Sequence, residues 1–351
     1  SLDPHDPSVV ASTVIDANGV GSVVSFHTRE TEHAVLTGFT LTGGVGQVEL
    51  GAEPTDDRIY GGGVYCYLAS PTIRYNVITG NHIPEEMSIE GTSSRGRISH
   101  ITIPVYGCGG GIYCFFSDAT IVDNLICENQ AYEGGGVYIY GDVSTMVGAP
   151  LGCGTPDVST EEGVCTPSQY GGYIGRNRIY ENTANRYGGG YIRGENRWVT
   201  DNLVYGNHAE SYGGLGLFEV AQVSHNTIVD NTASWLNNLG LTVYNEYSPT
   251  LIVNNIIAST RSDVGVQIYG EPYTYRFAYN VLWGIDGERD YYARTLVAAN
   301  NNLLADPLFI DPNGMDYHLQ PESPCVSAGD PNNSQYEGRI DIDGEDRLYA
   351  Q

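Results

Sequence analysis

The strongest constraint on this chain is a recurring asparagine. Seven segments align on it: TIRYNVITGN, TIVDNLICEN, YIGRNRIYEN, WVTDNLVYGN, QVSHNTIVDN, LIVNNIIAST and RFAYNVLWGI. The aligned residues are Asn76, Asn124, Asn177, Asn202, Asn226, Asn255 and Asn280, spaced 24 to 29 residues apart wherever no insertion intervenes. Three places earlier stand Ile73, Ile121, Ile174, Val199, Val223, Ile252 and Phe277. Two places later stand Ile78, Ile126, Ile179, Val204, Ile228, Ile257 and Leu282. A second asparagine column, Asn81, Asn129, Asn182, Asn207 and Asn231, follows five places on and then stops. The earlier segment VLTGFTLTGG fits the same frame with Phe39 in the asparagine slot.

A repeat of this length signals stacked units, and the 3.6-residue periodicity of helical solenoids is absent. Each coil of a parallel stack lies ~4.8 Å above the last, so one apolar side chain at a fixed place per turn packs on its own kind. Asparagine ladders satisfy turn backbone and bond to one another along the axis. The chain is therefore expected to be all-β: a parallel β-helix of roughly ten coils, forming a single domain over residues 1–351.

A glycine run opens each coil, as in YGGGVYCY, CGGGIYCF, EGGGVYIY and YGGGYIRG. The strand after it alternates. Its inward position carries Cys66, Cys114, Ile139, Ile192, Leu217, Val243 and Ile268. Cys66 and Cys114 are thus core neighbours, either as a disulfide or as two buried thiols. Cys108, Cys127 and Cys325 have no assigned partner. Cys153 and Cys165 share one glycine-rich insertion and read as a local disulfide, which implies an oxidising compartment. Zinc is the alternative, without CxxC or HxxxH spacing to support it.

Two insertions break the period, residues 84–107 and 143–171. Insertions in a solenoid map to loops on one face. The opening SLDPHDPSVVASTVIDANG reads as the middle of a coil, which suggests a piece of a longer precursor. Residues 303–351 read as a closing segment. No stretch is long enough to span a membrane.

The glycine-led strands and the N-x-I-x-x-N turns resemble secreted bacterial right-handed parallel β-helix proteins of the pectate-lyase-like superfamily. The tail DPLFIDPNGMDYHLQPESPCVSAGDP, with DIDGEDR after it, resembles the closing segment of many such surface proteins. The resemblance covers nearly the whole chain. It implies a right-handed coil and an extracellular or cell-surface location. It implies no particular activity, because this fold hosts lyases, hydrolases, epimerases, adhesins and structural proteins.

Charge narrows the partners. The net charge is −26, and all 16 basic residues are arginine. Such a surface repels nucleic-acid backbones and anionic membranes. Without lysine, Schiff-base chemistry is excluded.

Function would have to lie on the outward positions of the glycine-led strand, which form two stripes. One is Tyr65, Tyr113, Tyr138 and Tyr191; the other is Tyr67, Phe115, Tyr140, Arg193, Phe218, Tyr244 and Tyr269. Three readings compete: tyrosines that stack because strands favour them, a platform for sugar rings, and an assembly contact. Acids run alongside at Asp118, Asp142, Glu195, Glu219, Glu246 and Glu271. They form a solvated edge, a row bridged by calcium, or a hydrolytic pair.

Arg176, Arg178, Arg186, Arg193 and Arg197 cluster across neighbouring coils. The fold's lyases typically use a basic proton acceptor, often arginine. Arg193, with Asp142, Glu195 and Glu219, is accordingly the catalytic set the resemblance would supply; pairing of the arginines with nearby acids is the structural alternative. His225 precedes Asn226 with no second histidine in its column, and Asp341, Asp343 and Asp346 lack EF-hand spacing, so neither gives a metal site.

Two function classes follow: an extracellular structural or adhesive β-helix, self-assembling or glycan-binding, and a polysaccharide-active enzyme, either a glycoside hydrolase or a calcium-dependent lyase.

Overall fold

A computed structural model describes residues 3–49, 58–92, 98–141, 172–234, 239–246, 249–259, 265–270, 274–284, 300–330 and 340–345. They form a parallel β-helix. A ten-stranded sheet runs from Val14–Asp16 to Leu303–Leu304. An eight-stranded sheet, the glycine-led one, runs from Val24–Phe26 to Gly265–Tyr269. A second eight-stranded sheet runs from Val35–Thr37 to Tyr275–Ala278. A short fourth sheet joins Gln130–Glu133, Thr183–Arg186, His208–Ser211 and Thr232–Ala233.

The register is the one the sequence columns demand. Ile73, Ile121, Ile174, Val199, Val223, Ile252 and Phe277 are successive partners. So are Cys66, Cys114, Ile139, Ile192, Leu217, Val243 and Ile268. Nearly all are fully buried and share one core from Leu36 to Leu282. Cys66 and Cys114 are free thiols. Cys153 and Cys165 lie outside the described residues.

The asparagines explain the sharp corners. The residue before each ladder asparagine is left-handed: Tyr75, Asp123, Arg176, Asp201, His225, Asn254 and Tyr279 have φ of 51–59°. That conformation costs roughly 1–2 kcal/mol in an L-residue. The asparagine spans it. Asn177 Nδ2 donates back to Gly175 O at 3.0 Å, to Ile121 O one coil below at 2.8 Å, and to Asn202 Oδ1 at 3.0 Å. Its backbone N–H also donates to Asn202 Oδ1. The pattern extends to Asn302, and Phe39 ends it by donating its N–H to Asn76 Oδ1.

The glycine run has a separate cause, close approach. A Cβ on Gly111 would meet Gly136 O at 2.5 Å and Ile126 Cγ2 at 3.0 Å.

Among the described residues, several parts depart from the bare repeat. The opening residues do not continue a coil: Pro7–Ser12 is a short helix. Asp6 caps it by accepting the Ser8 N–H, proline occupies its first turn, and Val10 is its buried residue. The insertion at 84–107 contains an antiparallel hairpin, Glu86–Thr92 with Ile98–Pro104. Among the described residues no helix is long and apolar enough to cross a membrane.

After the last coil the chain folds back. Strands Phe309–Asp311 and Asp316–Leu319 pair antiparallel. Phe309, Tyr317 and Leu319 cover Tyr205, Val229 and Ala258 on the outer face of the ten-stranded sheet. We refer to residues 307–330 and 340–345 as the strap.

Candidate functional site

Both aromatic stripes form, in the register expected. Tyr65, Tyr113, Tyr138 and Tyr191 follow one another at ring-centroid separations of 5.8, 5.6 and 4.7 Å, within 17° of parallel. Tyr67, Phe115 and Tyr140 stack at 5.6 and 5.8 Å. Phe218, Tyr244 and Tyr269 continue beyond Arg193 at 5.6 and 5.5 Å. The stacking direction follows the helix axis, so most ring faces meet another ring and the edges meet solvent.

The first stripe is largely withdrawn from solvent. Tyr65 and Tyr113 are each 5% exposed. Tyr60 lies against Tyr113 at 4.5 Å, and the Tyr65 hydroxyl donates to Glu49 Oε1. Burial pushes the Tyr113 and Tyr138 hydroxyls far above the ordinary tyrosine range. Burial also pushes Tyr191 up to about 12, opposed by Arg193. These hydroxyls stay protonated and do not serve as bases near neutral pH.

The five clustered arginines are divided among separate partners. Arg176 grips Asp123 at 2.7 and 2.8 Å. Arg186 pairs with Glu133 at 2.8 Å and Arg178 with Asp343 at 2.6 Å. Arg197 is fully buried and donates to the carbonyls of Arg193, Ser117 and Gly141, fastening three coils at one corner. Arg193 is exposed, with its guanidinium 5.3 Å from the Tyr140 ring centroid.

The acid row is likewise divided. Glu219 is 7% exposed, and its Oε1 accepts the Glu246 N–H at 2.9 Å. The Tyr244 hydroxyl donates to Glu246 Oε1. Glu195 is exposed. Asp142 and Glu271 lie outside the described residues. Among the described residues no three His, Cys, Asp or Glu side chains converge to hold a metal.

Among the described residues a concavity lies elsewhere. A cleft of about 630 Å³ separates the strap from the corner of the helix. Its floor is the left-handed column Asp201, His225, Asn254 and Tyr279, with the outward residues of the adjoining strands, Leu203, Thr227, Ile256 and Val281. The strap forms the other wall through Tyr317, His318, Leu319 and Asp343.

Polar pins fix its width. Arg178 and His318 Nε2 both bond Asp343, at 2.6 and 3.0 Å. Arg276 bonds Asp330 at 2.8 Å, and Asn254 Oδ1 accepts the Asp330 N–H at 2.8 Å. Asn254 Nδ2 in turn meets His225 Nε2 at 2.9 Å. The coil repeat places His225 in a turn and carries no sign of the segment some 90 residues later that returns to it. The legible signal was the tail itself, which leaves the coil frame.

No protein-family model, no curated protein and no solved structure matches this chain.

Proposed function

We propose that this chain is an extracellular or cell-surface structural β-helix, a stiff rod whose flanks serve adhesion or assembly and not turnover. The observation that carries the reading is the use of the ring faces in the aromatic stripes. A sugar platform needs an open ring face. Here Phe115 lies between Tyr67 and Tyr140, and Tyr113 lies between Tyr65 and Tyr138. The stripes hold coils to one another.

Charge and composition support the placement outside the cell. A lysine-free surface at −26 stays soluble and avoids nucleic acid. The Cys153 and Cys165 spacing suits an oxidising compartment.

Turnover is the test. The protein is incubated with neutral and acidic polysaccharides, with and without calcium, and new reducing ends and unsaturated products are measured. The structural reading expects neither. Product formed by the wild type and lost in Arg193→Ala would overturn it in favour of a polysaccharide-active enzyme.

A further inference from the structure

The geometry points to the cleft beneath the strap as a binding site for a small neutral, hydroxylated ligand of the size and chemistry of a mono- or disaccharide. This goes beyond the structural role and does not depend on it.

The volume comes first. At about 630 Å³ the cleft falls among small-molecule sites, which run ~300–1,000 Å³. It is held open by ion pairs at Asp343 and Asp330, so its walls are set before any ligand arrives.

Charge decides the class of ligand. Every carboxylate lining the cleft is already engaged. Asp343 is held by Arg178 and His318, and Asp330 by Arg276. Asp341 Oδ1 accepts the N–H groups of Asp343 and Glu345 at 2.9 and 3.0 Å. Asp201 is 4% exposed and accepts from the Thr200 hydroxyl. An anion entering here would face four acids against two basic groups, Arg178 and His318, that are already committed to Asp343. A cation would have to compete with the arginines, the histidine and the backbone donors that now hold them.

On the floor two hydroxyls remain for a neutral ligand, with that of the exposed Ser327 on the strap side. Among the described residues, no protein group bonds the hydroxyls of Thr227 and Tyr279, and both residues line the cleft half-exposed. Each offers one donor and two acceptor positions. Beside them Leu203 and Ile256 give an apolar floor. An apolar floor with hydroxyls at its edge matches a molecule with a C–H face and an O–H rim, such as a pyranose ring.

The test uses the whole chain and its isosteric double variant Thr227→Val with Tyr279→Phe, which removes both hydroxyls and keeps the shape. Saturation-transfer NMR and titration calorimetry are run with glucose, galactose, mannose, xylose and cellobiose. Galacturonate and glucosamine serve as the anionic and cationic counterparts. At least one neutral sugar is expected to bind the wild type and neither charged sugar to match it. The double variant, with an unchanged circular-dichroism spectrum, is expected to bind about tenfold more weakly or worse, as two lost hydrogen bonds imply.

A wild type that binds no neutral sugar overturns the assignment. So does a folded double variant with full affinity, or equal binding of a charged sugar. A double variant that fails to fold would leave the wild-type comparison of neutral with charged sugars to decide. None of these results touches the turnover test of the structural reading.

Discussion

The guanidinium of Arg193 lies 5.3 Å from the ring centroid of Tyr140 and fills the one break in a column of six aromatic rings. A cation over a ring is worth ~0.5–1 kcal/mol at an exposed site. Arg193→Ala is expected to lower unfolding free energy by about that amount. Arg193→Tyr, which continues the column, is expected to recover it. Equilibrium urea unfolding of the three proteins measures both. Equal stability of wild type and Arg193→Ala would remove the contact from the account.

Asn202 occupies the middle of the longer ladder. Its Oδ1 accepts from the Asn177 backbone and side chain, and its Nδ2 donates to Ile174 O, Thr200 O and Asn226 Oδ1. Asn202→Ala strands several buried groups at once, each costing ~1–3 kcal/mol. A loss of about 3 kcal/mol or more is expected by denaturant titration. Because coils interact only with neighbours, Asn302→Ala at the end of the ladder should cost less. Equal losses at both positions would contradict the ladder's cooperative role.

The columns were legible because both directions of the stack obey local rules. A one-residue left-handed corner needs an amide to span it, which marks Asn177 and its kin. An inward slot needs a branched aliphatic, which marks Ile174 and Ile179. The strap obeys neither rule. Phe309 and Tyr317 reach Tyr205 by tertiary packing across about a hundred residues, and sequence spacing carries no trace of that distance. The stripes show a subtler limit. Alternation predicts that Tyr113 points outward, yet not that Tyr60 lies over it and leaves it 5% exposed.

Tyrosine ionisation should divide the 27 tyrosines into two classes. Burial raises Tyr60 and Tyr191 to about 12, and raises Tyr113 and Tyr138 further. A raised folded value means stability that is complete below the ordinary value near pH ~10 and is lost as pH climbs through the folded one. Ultraviolet titration should show exposed tyrosines ionising first and the rest ionising only with alkaline unfolding. A single transition of all tyrosines near pH ~10 with the fold intact would be contrary.

His318 should titrate above its ordinary value. Its bond to Asp316 raises it first, and its bond to Asp343 adds to this. The contact is complete below 6.5 and weakens as pH rises through the elevated folded value. Imidazole NMR shifts should therefore report a raised pKa, which falls in Asp343→Asn. An ordinary value in both proteins would separate His318 from the strap's attachment.

On the proposed structural role, the aromatic columns bind coils to each other and not a partner. Tyr140→Ala tests it most directly, because Tyr140 lies between Phe115 and Arg193 in the same column. The measurement pairs denaturant unfolding with retention on immobilised polysaccharides. A clear loss of stability is expected, at least the ~0.5–1.5 kcal/mol of an aromatic pair, with retention unchanged. Wild-type stability together with lost retention would contradict it.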